Sequence, residues 1–118
     1  MTVLIWLAVV AATAHPHEPQ SHGQPARARA NLASYISHSD YPRTALANRE
    51  QGTVHFVLTV GPNGRVGDCR VTQSSGSAAL DSATCRIMRA RARFTPARDA
   101  AGHPTADTIE SSIGWHLQ

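Results

Sequence analysis

The chain contains no lysine; all 11 of its basic side chains are arginine. Against 8 acids they leave a formal net charge of +3, too mild to mark a nucleic-acid binder by itself. Four of them crowd into Arg86-Ile87-Met88-Arg89-Ala90-Arg91-Ala92-Arg93. No aromatic is interleaved there to stack on bases, and the run falls in the last turns of an expected helix, where cations suit the helix dipole. No nucleic-acid partner is expected. Aromatics are scarce, two each of Phe, Tyr and Trp, so aliphatic side chains must fill most of the core. Catalytic signatures are missing too. There is no H-E-x-x-H, no C-x-x-C and no G-x-S-x-G, Ser74-Ser75-Gly76 reads as a turn, and the carboxylates are scattered. Neither an enzyme nor a cofactor is expected. At 118 residues the chain has room for one small domain.

What is present begins with Met1–Ala14, fourteen residues without a charged side chain. A membrane-spanning helix needs roughly 20 apolar residues, so the run fits a signal-peptide core better. Ala12-Thr13-Ala14 supplies an A-x-A cleavage site. Residues 1–14 are expected to be a signal peptide or a short membrane anchor, and either places the remainder outside the cytoplasm, where cysteines pair. Residues 15–30, rich in Pro, His, Gln, Ala and Arg, show no apolar period and read as a flexible linker. Fully extended they span at most roughly 50–60 Å.

The domain is expected over 31–118. Asn31 is placed to cap a short helix through Leu32, Tyr35 and Ile36, and Pro42 to open a second over about 42–50. From Thr53 the period becomes two: Val54, Phe56, Leu58 and Val60 on one face, His55, Val57 and Thr59 on the other, a half-buried strand. Gly61-Pro62-Asn63-Gly64 is a turn. The returning strand, 65–74, slips out of phase between Val66 and Cys69, and a bulge near Gly67-Asp68 restores it. Ser77 caps a long helix whose stripe is Leu80, Ala83, Thr84, Ile87 and Ala90. A last strand over about 105–117 puts Ile109, Ile113, Trp115 and Leu117 on one face. A right-handed crossover and antiparallel pairing throughout give an α+β fold: a three-stranded antiparallel sheet in the order second, first, third, with the long helix packed on one face and one or two short N-terminal helices. The C-terminal strand is then an edge.

The two cysteines, Cys69 and Cys85, are either a disulfide, metal ligands or two separate thiols. Two are too few for a structural zinc site without histidines, and none is near in sequence. One cysteine lies on the second strand and the other on the helix packed over it, so a disulfide is expected. A loop of this size is worth about 3 kcal/mol in the chain-entropy account. Cys85 lies to one side of the helix stripe, so the bond must reach a strand under the helix's flank.

Tyr41-Pro42, Gly52-Thr53-Val54, Val60…Asn63-Gly64-Arg65-Val66, Val71…Ser74-Ser75-Gly76, Leu80-Asp81 and Phe94-Thr95-Pro96-Ala97-Arg98 followed by Gly102, taken in order, resemble the C-terminal domain of TonB-like energy transducers. The resemblance covers about residues 35–117. It implies a periplasmic module, in energy-coupled transport of siderophores or other nutrients, that grips the TonB box of TonB-dependent outer-membrane receptors. It also implies an Exb-type inner-membrane motor complex as a second partner. On this resemblance the edge strand is expected to bind the receptor peptide by strand addition, through Thr108, Ile109, Glu110, Ser111, Ser112, Ile113, Gly114, Trp115 and His116. Neither proline nor lysine occurs there to discourage pairing. Two other readings stand beside it: a periplasmic metal-handling protein using His15, His17 and His22 of the tail, and a homodimer paired through exposed strands.

Overall fold

A computed structural model of the protein describes residues 22–118. The apolar run at 1–14 and the linker through residue 21, with His15 and His17, lie outside the described residues.

The central strand is the one with the cleanest alternation. Strand β3, Gly52–Val60, buries Val54, Phe56, Leu58 and Val60 and leaves the intervening side chains half-buried or exposed. Burying such side chains contributes about 1.5–3 kcal/mol each, which makes this face the floor of the core. The turn after it closes by two main-chain bonds, Gly64 N–H to the Gly61 carbonyl and Gly61 N–H to the Arg65 carbonyl, both 2.9 Å. Gly64 has φ +80°, and a Cβ there would lie 2.3 Å from the Phe94 carbonyl oxygen. Both the turn and the close approach of residue 94 therefore require glycine.

Strand β4, Val66–Gln73, returns antiparallel. Thr59 faces Asp68 and Val60 faces Val66, so Gly67 is the extra residue of a bulge at the expected place. A second irregularity, between His55 facing Gln73 and Phe56 facing Val71, leaves Thr72 over. Helix α2, Ala78–Arg91, starts at Ser77, whose hydroxyl accepts from Leu80 N–H at 3.2 Å. It buries Leu80, Ala83, Thr84, Cys85, Ile87 and Met88. Ala90, expected in the stripe, is exposed. By the 3.6-residue period Cys85 and Met88 share one flank and Ala90 lies on the other. The disulfide decides between them: Cys69 and Cys85 are joined, with Cα atoms 5.4 Å apart, which holds the Cys85 flank against β4.

The expected last strand is two. Strands β5 (Phe94–Thr95), β6 (Ala97–Asp99) and β7 (Pro104–Thr105) are short, with β6 and β7 forming a hairpin. Strand β8, Asp107–Trp115, follows and pairs with β3 from Gly52↔Trp115 to Val60↔Asp107. The main sheet runs β4-β3-β8, antiparallel throughout, with α2 on one face. Leu117 lies beyond the strand, its N–H donated to Gln51 Oε1 at 3.0 Å.

The N-terminal side departs most from expectation. Residues 22–28, expected in a solvated linker, form strand β1 (His22–Gln24) on β6 and strand β2 (Arg27–Ala28) on β5. Ala26 between them is buried, and its N–H donates to Asp107 Oδ2 at 3.0 Å. The contact is mainly main chain on main chain; a Cβ on Gly23 would stand 2.6 Å from the Asp99 carbonyl. After it come 3-10 turns at Leu32–Tyr35, with Asn31 accepting from Ala33 N–H, and at His38–Asp40. Helix α1 is only Arg43–Ala47, because Arg49 takes a left-handed φ of +54° and turns the chain toward β3. Among the described residues no helix is long and apolar enough to cross a membrane.

Candidate functional site

Strand β8 ends the main sheet, so one of its sides is hydrogen-bonded to β3 and, among the described residues, no strand pairs with the other. A row of main-chain donors and acceptors is thereby left open. All of Thr108 to Trp115 lie in this strand, and His116 follows it. Thr108, Glu110, Ser112 and Gly114 are exposed, whereas Ile113 and Trp115 are buried. Two core-side positions opposite β3 are small or polar: Ser111 faces Phe56 and Asp107 faces Val60. The strand is therefore anchored hardest at its C-terminal end.

That anchor is Trp115, 3 % exposed. Its indole N–H donates to Thr84 Oγ1 at 2.8 Å, and the same hydroxyl donates to the Leu80 carbonyl at 2.8 Å. Tyr41 meets the indole edge-on, with centroids 5.3 Å apart at 89°, an arrangement that aromatic quadrupoles favour. The Tyr41 hydroxyl donates to the Glu50 carbonyl. Burial, and then the nearby Glu50 carboxylate, raise the phenol above its ordinary pKa, so it remains a donor near neutral pH.

Alongside this end of β8 lies an open groove of about 210 Å³, bounded by Ile36, His38, Tyr41, Ile113, Trp115 and His116. One wall belongs to the 3-10 turns, and Arg91 holds it in place. Its guanidinium grips Asp40 in bidentate fashion at 2.7 and 2.9 Å and donates to the Tyr35 carbonyl at 2.9 Å. Ser37 N–H also donates to Asp40. The Arg91 hydrogen bond, followed by the one from Ser37, holds the Asp40 carboxyl well below the usual carboxylate range.

The sequence identified the strand but not this wall. His38 sits in a 3-10 turn, and Ile36 and Tyr41 cap the ends of such turns, which carry no apolar period; the expected short helix through Ile36 and the Tyr41-Pro42 pair marked the segment but not the groove. Cys69 and Cys85, joined, lie on the β4 side of α2 and take no part in the edge. Among the described residues no group of three or more His, Cys, Asp or Glu side chains is placed to hold a metal ion.

Comparison with known proteins bears on the same region. The family described as Gram-negative bacterial TonB protein C-terminal matches residues 37–117. The protein TonB of Neisseria meningitidis serogroup C is 38 % identical over 63 residues, 53 % of this chain and 21 % of the relative. The serogroup B protein aligns to the same extent. The matched stretch thus spans about a fifth of those relatives' length. Among solved structures, the solution structure of the Pseudomonas aeruginosa TonB C-terminal domain superposes with a TM-score of 0.53 at 29 % identity, covering 66 % of this chain and 77 % of that one.

Proposed function

Since this chain belongs to the TonB C-terminal domain family, we propose that it is a periplasmic, non-enzymatic binding module that holds the TonB box of outer-membrane receptors along the free side of β8. The observation that carries the reading is that open side, nine residues long from Asp107 to Trp115, with a groove beside its anchored end. An extended receptor segment adds as a fourth strand. Main-chain hydrogen bonds supply affinity, and alternate side chains supply selectivity. Residues 1–14 serve as signal or anchor, and an Exb-type motor drives uptake of a siderophore or another nutrient through the receptor.

The test is proline at Ser111 and, separately, at Ser112. These neighbours point to opposite faces, and their amides alternate between β3 and the open side. Where the amide faces outward, proline leaves the β3 ladder whole but removes a donor from the edge. That variant is expected to keep its circular dichroism and lose binding of a TonB-box peptide in titration calorimetry. If both variants are folded and bind as the unaltered chain does, β8 is not the docking strand.

A further inference from the structure

The geometry points to a second working surface: a row of arginines, at the end of the sheet away from the groove, that docks on an anionic membrane surface. This inference is independent of the β8 reading, since the groove lies at the Gly52–Trp115 end and the arginines at the Val60–Val66 end.

The row follows from register. Arg65 pairs with Arg93 in an antiparallel bridge. Across the other side of residue 93, β2 and β5 pair Arg27 with Thr95 and Ala28 with Phe94. The next pair in that register is Arg29 with Arg93, and Arg29 N–H donates to the Arg93 carbonyl at 3.0 Å. Directly opposed residues project from the same face of a sheet. Arg29, Arg93 and Arg65 therefore stand side by side on three adjacent segments, and Arg27, two residues along, joins them. On the segments of Arg65 and Arg93 this is the outer face, because Val66, Ala92 and Phe94, which alternate with them, are buried; Ala28, between Arg27 and Arg29, is itself exposed.

Like charges opposed across strands repel. Among the described residues the ion pairs are Arg91–Asp40 and His103–Asp99, so none of these four arginines has a carboxylate partner there. Arg93 turns Nη1 to the Ala90 and Ala92 carbonyls, at 3.3 and 2.9 Å, while Arg27, Arg29 and Arg65 are exposed. A cluster of this kind is neutralised by a surface of many anions better than by one acidic side chain. Phosphate headgroups fit it, since guanidinium donors match phosphate oxygens. The chain supplies a reason for a membrane in particular. That reason rests on residues 1–14 being kept as an anchor, the second of their two expected roles: Arg27 and Arg29 then follow the membrane segment by 13 and 15 residues, a contour of at most about 50 Å. A basic cluster tethered that near a bilayer gains about 1 kcal/mol per arginine from anionic lipid, which is about fivefold in affinity.

The experiment compares the full chain with Arg29→Gln/Arg65→Gln and with Arg86→Gln/Arg89→Gln, which removes equal charge from the exposed face of α2. Flotation is measured with vesicles of phosphatidylcholine alone and of an equimolar mixture with phosphatidylglycerol. The quantity read is the preference for anionic over neutral vesicles, so insertion of the apolar run cancels. The 29/65 pair is expected to lose the preference by about 25-fold, and the 86/89 pair to keep most of it. Equal losses in both pairs mean only net charge is sensed and overturn the proposal, as does no loss in either. Binding of inorganic phosphate that depends on Arg29 and Arg65, without a preference for anionic vesicles, makes the row a small-anion site and also overturns it.

Discussion

Replacing Thr84 by valine changes one oxygen at the point where α2 holds β8. Thr84 is fully buried, and its hydroxyl is the acceptor for the Trp115 indole N–H at 2.8 Å. Valine keeps the shape and removes that acceptor from a buried bond whose two residues are 0 % and 3 % exposed. An orphaned buried donor costs about 1–3 kcal/mol. The lost bond to Leu80 adds little, because that carbonyl keeps its helical partner. For a domain of this size each kcal/mol shifts Tm by about 4–8 °C, so a fall on the order of 5–20 °C is expected. Serine is the control. It retains the oxygen and loses one methyl, worth about 1 kcal/mol. Urea denaturation followed by circular dichroism should rank the native chain above Thr84→Ser, and that above Thr84→Val. A packing account without the hydrogen bond gives valine the advantage over serine. Thr84→Val as stable as Thr84→Ser, or within about 0.5 kcal/mol of the native chain, a margin ordinary for surface substitutions, refutes the reasoning.

Two further outcomes are expected. Cys69→Ala with Cys85→Ala, or reduction of the native chain, removes a cross-link spanning 16 residues and lowers stability by about 3 kcal/mol, read as an earlier urea midpoint; an unchanged midpoint contradicts it. Asp40, whose folded pKa is depressed by Arg91, contributes stability that is present above its unfolded pKa of about 3.9 and is lost as pH falls below it. Asp40→Asn should therefore be less stable than the native chain at neutral pH and show a shallower decline in acid, measured by thermal melts across that range.

What the sequence made legible was what repeats with a period or sits next to its cause. The β3 alternation, the Gly61–Gly64 turn and the Ser77 cap are local. The bulge at Gly67 showed because it shifts Cys69 and Val71 out of phase with Val66. The second bulge, at Thr72, lies near the strand's end, where too few apolar positions follow to expose a slip. Residues 22–28 pair with residues some 70 positions away through strands of two and three residues, too short to show a period, and among residues 23–28 only Ala26 is deeply buried. The groove wall was hidden for a related reason. Ile36 and Tyr41 are placed by a distant Arg91–Asp40 pair, and neither partner of a tertiary ion pair announces the other in sequence.

The two ladders flanking β3 differ in a way that matters under tension. The β3–β4 register is broken twice, whereas the β3–β8 register runs uninterrupted from Gly52 to Val60. If a receptor segment is held on β8 as proposed, a pull arriving from the chain's N-terminal side first loads the β1–β6 and β2–β5 pairings and the Ala26–Asp107 bond; what passes them enters β3 at Gly52 and crosses to β8 through the unbroken ladder. Drawn along the strands, that ladder slides instead of peeling, and its rows share the strain together. Strand β4, helix α2 and their covalent tie branch off between β3 and β8, to one side of the line of pull. Of the two ladders on β3, the bulged one thus lies to the side of that line and the continuous one along it.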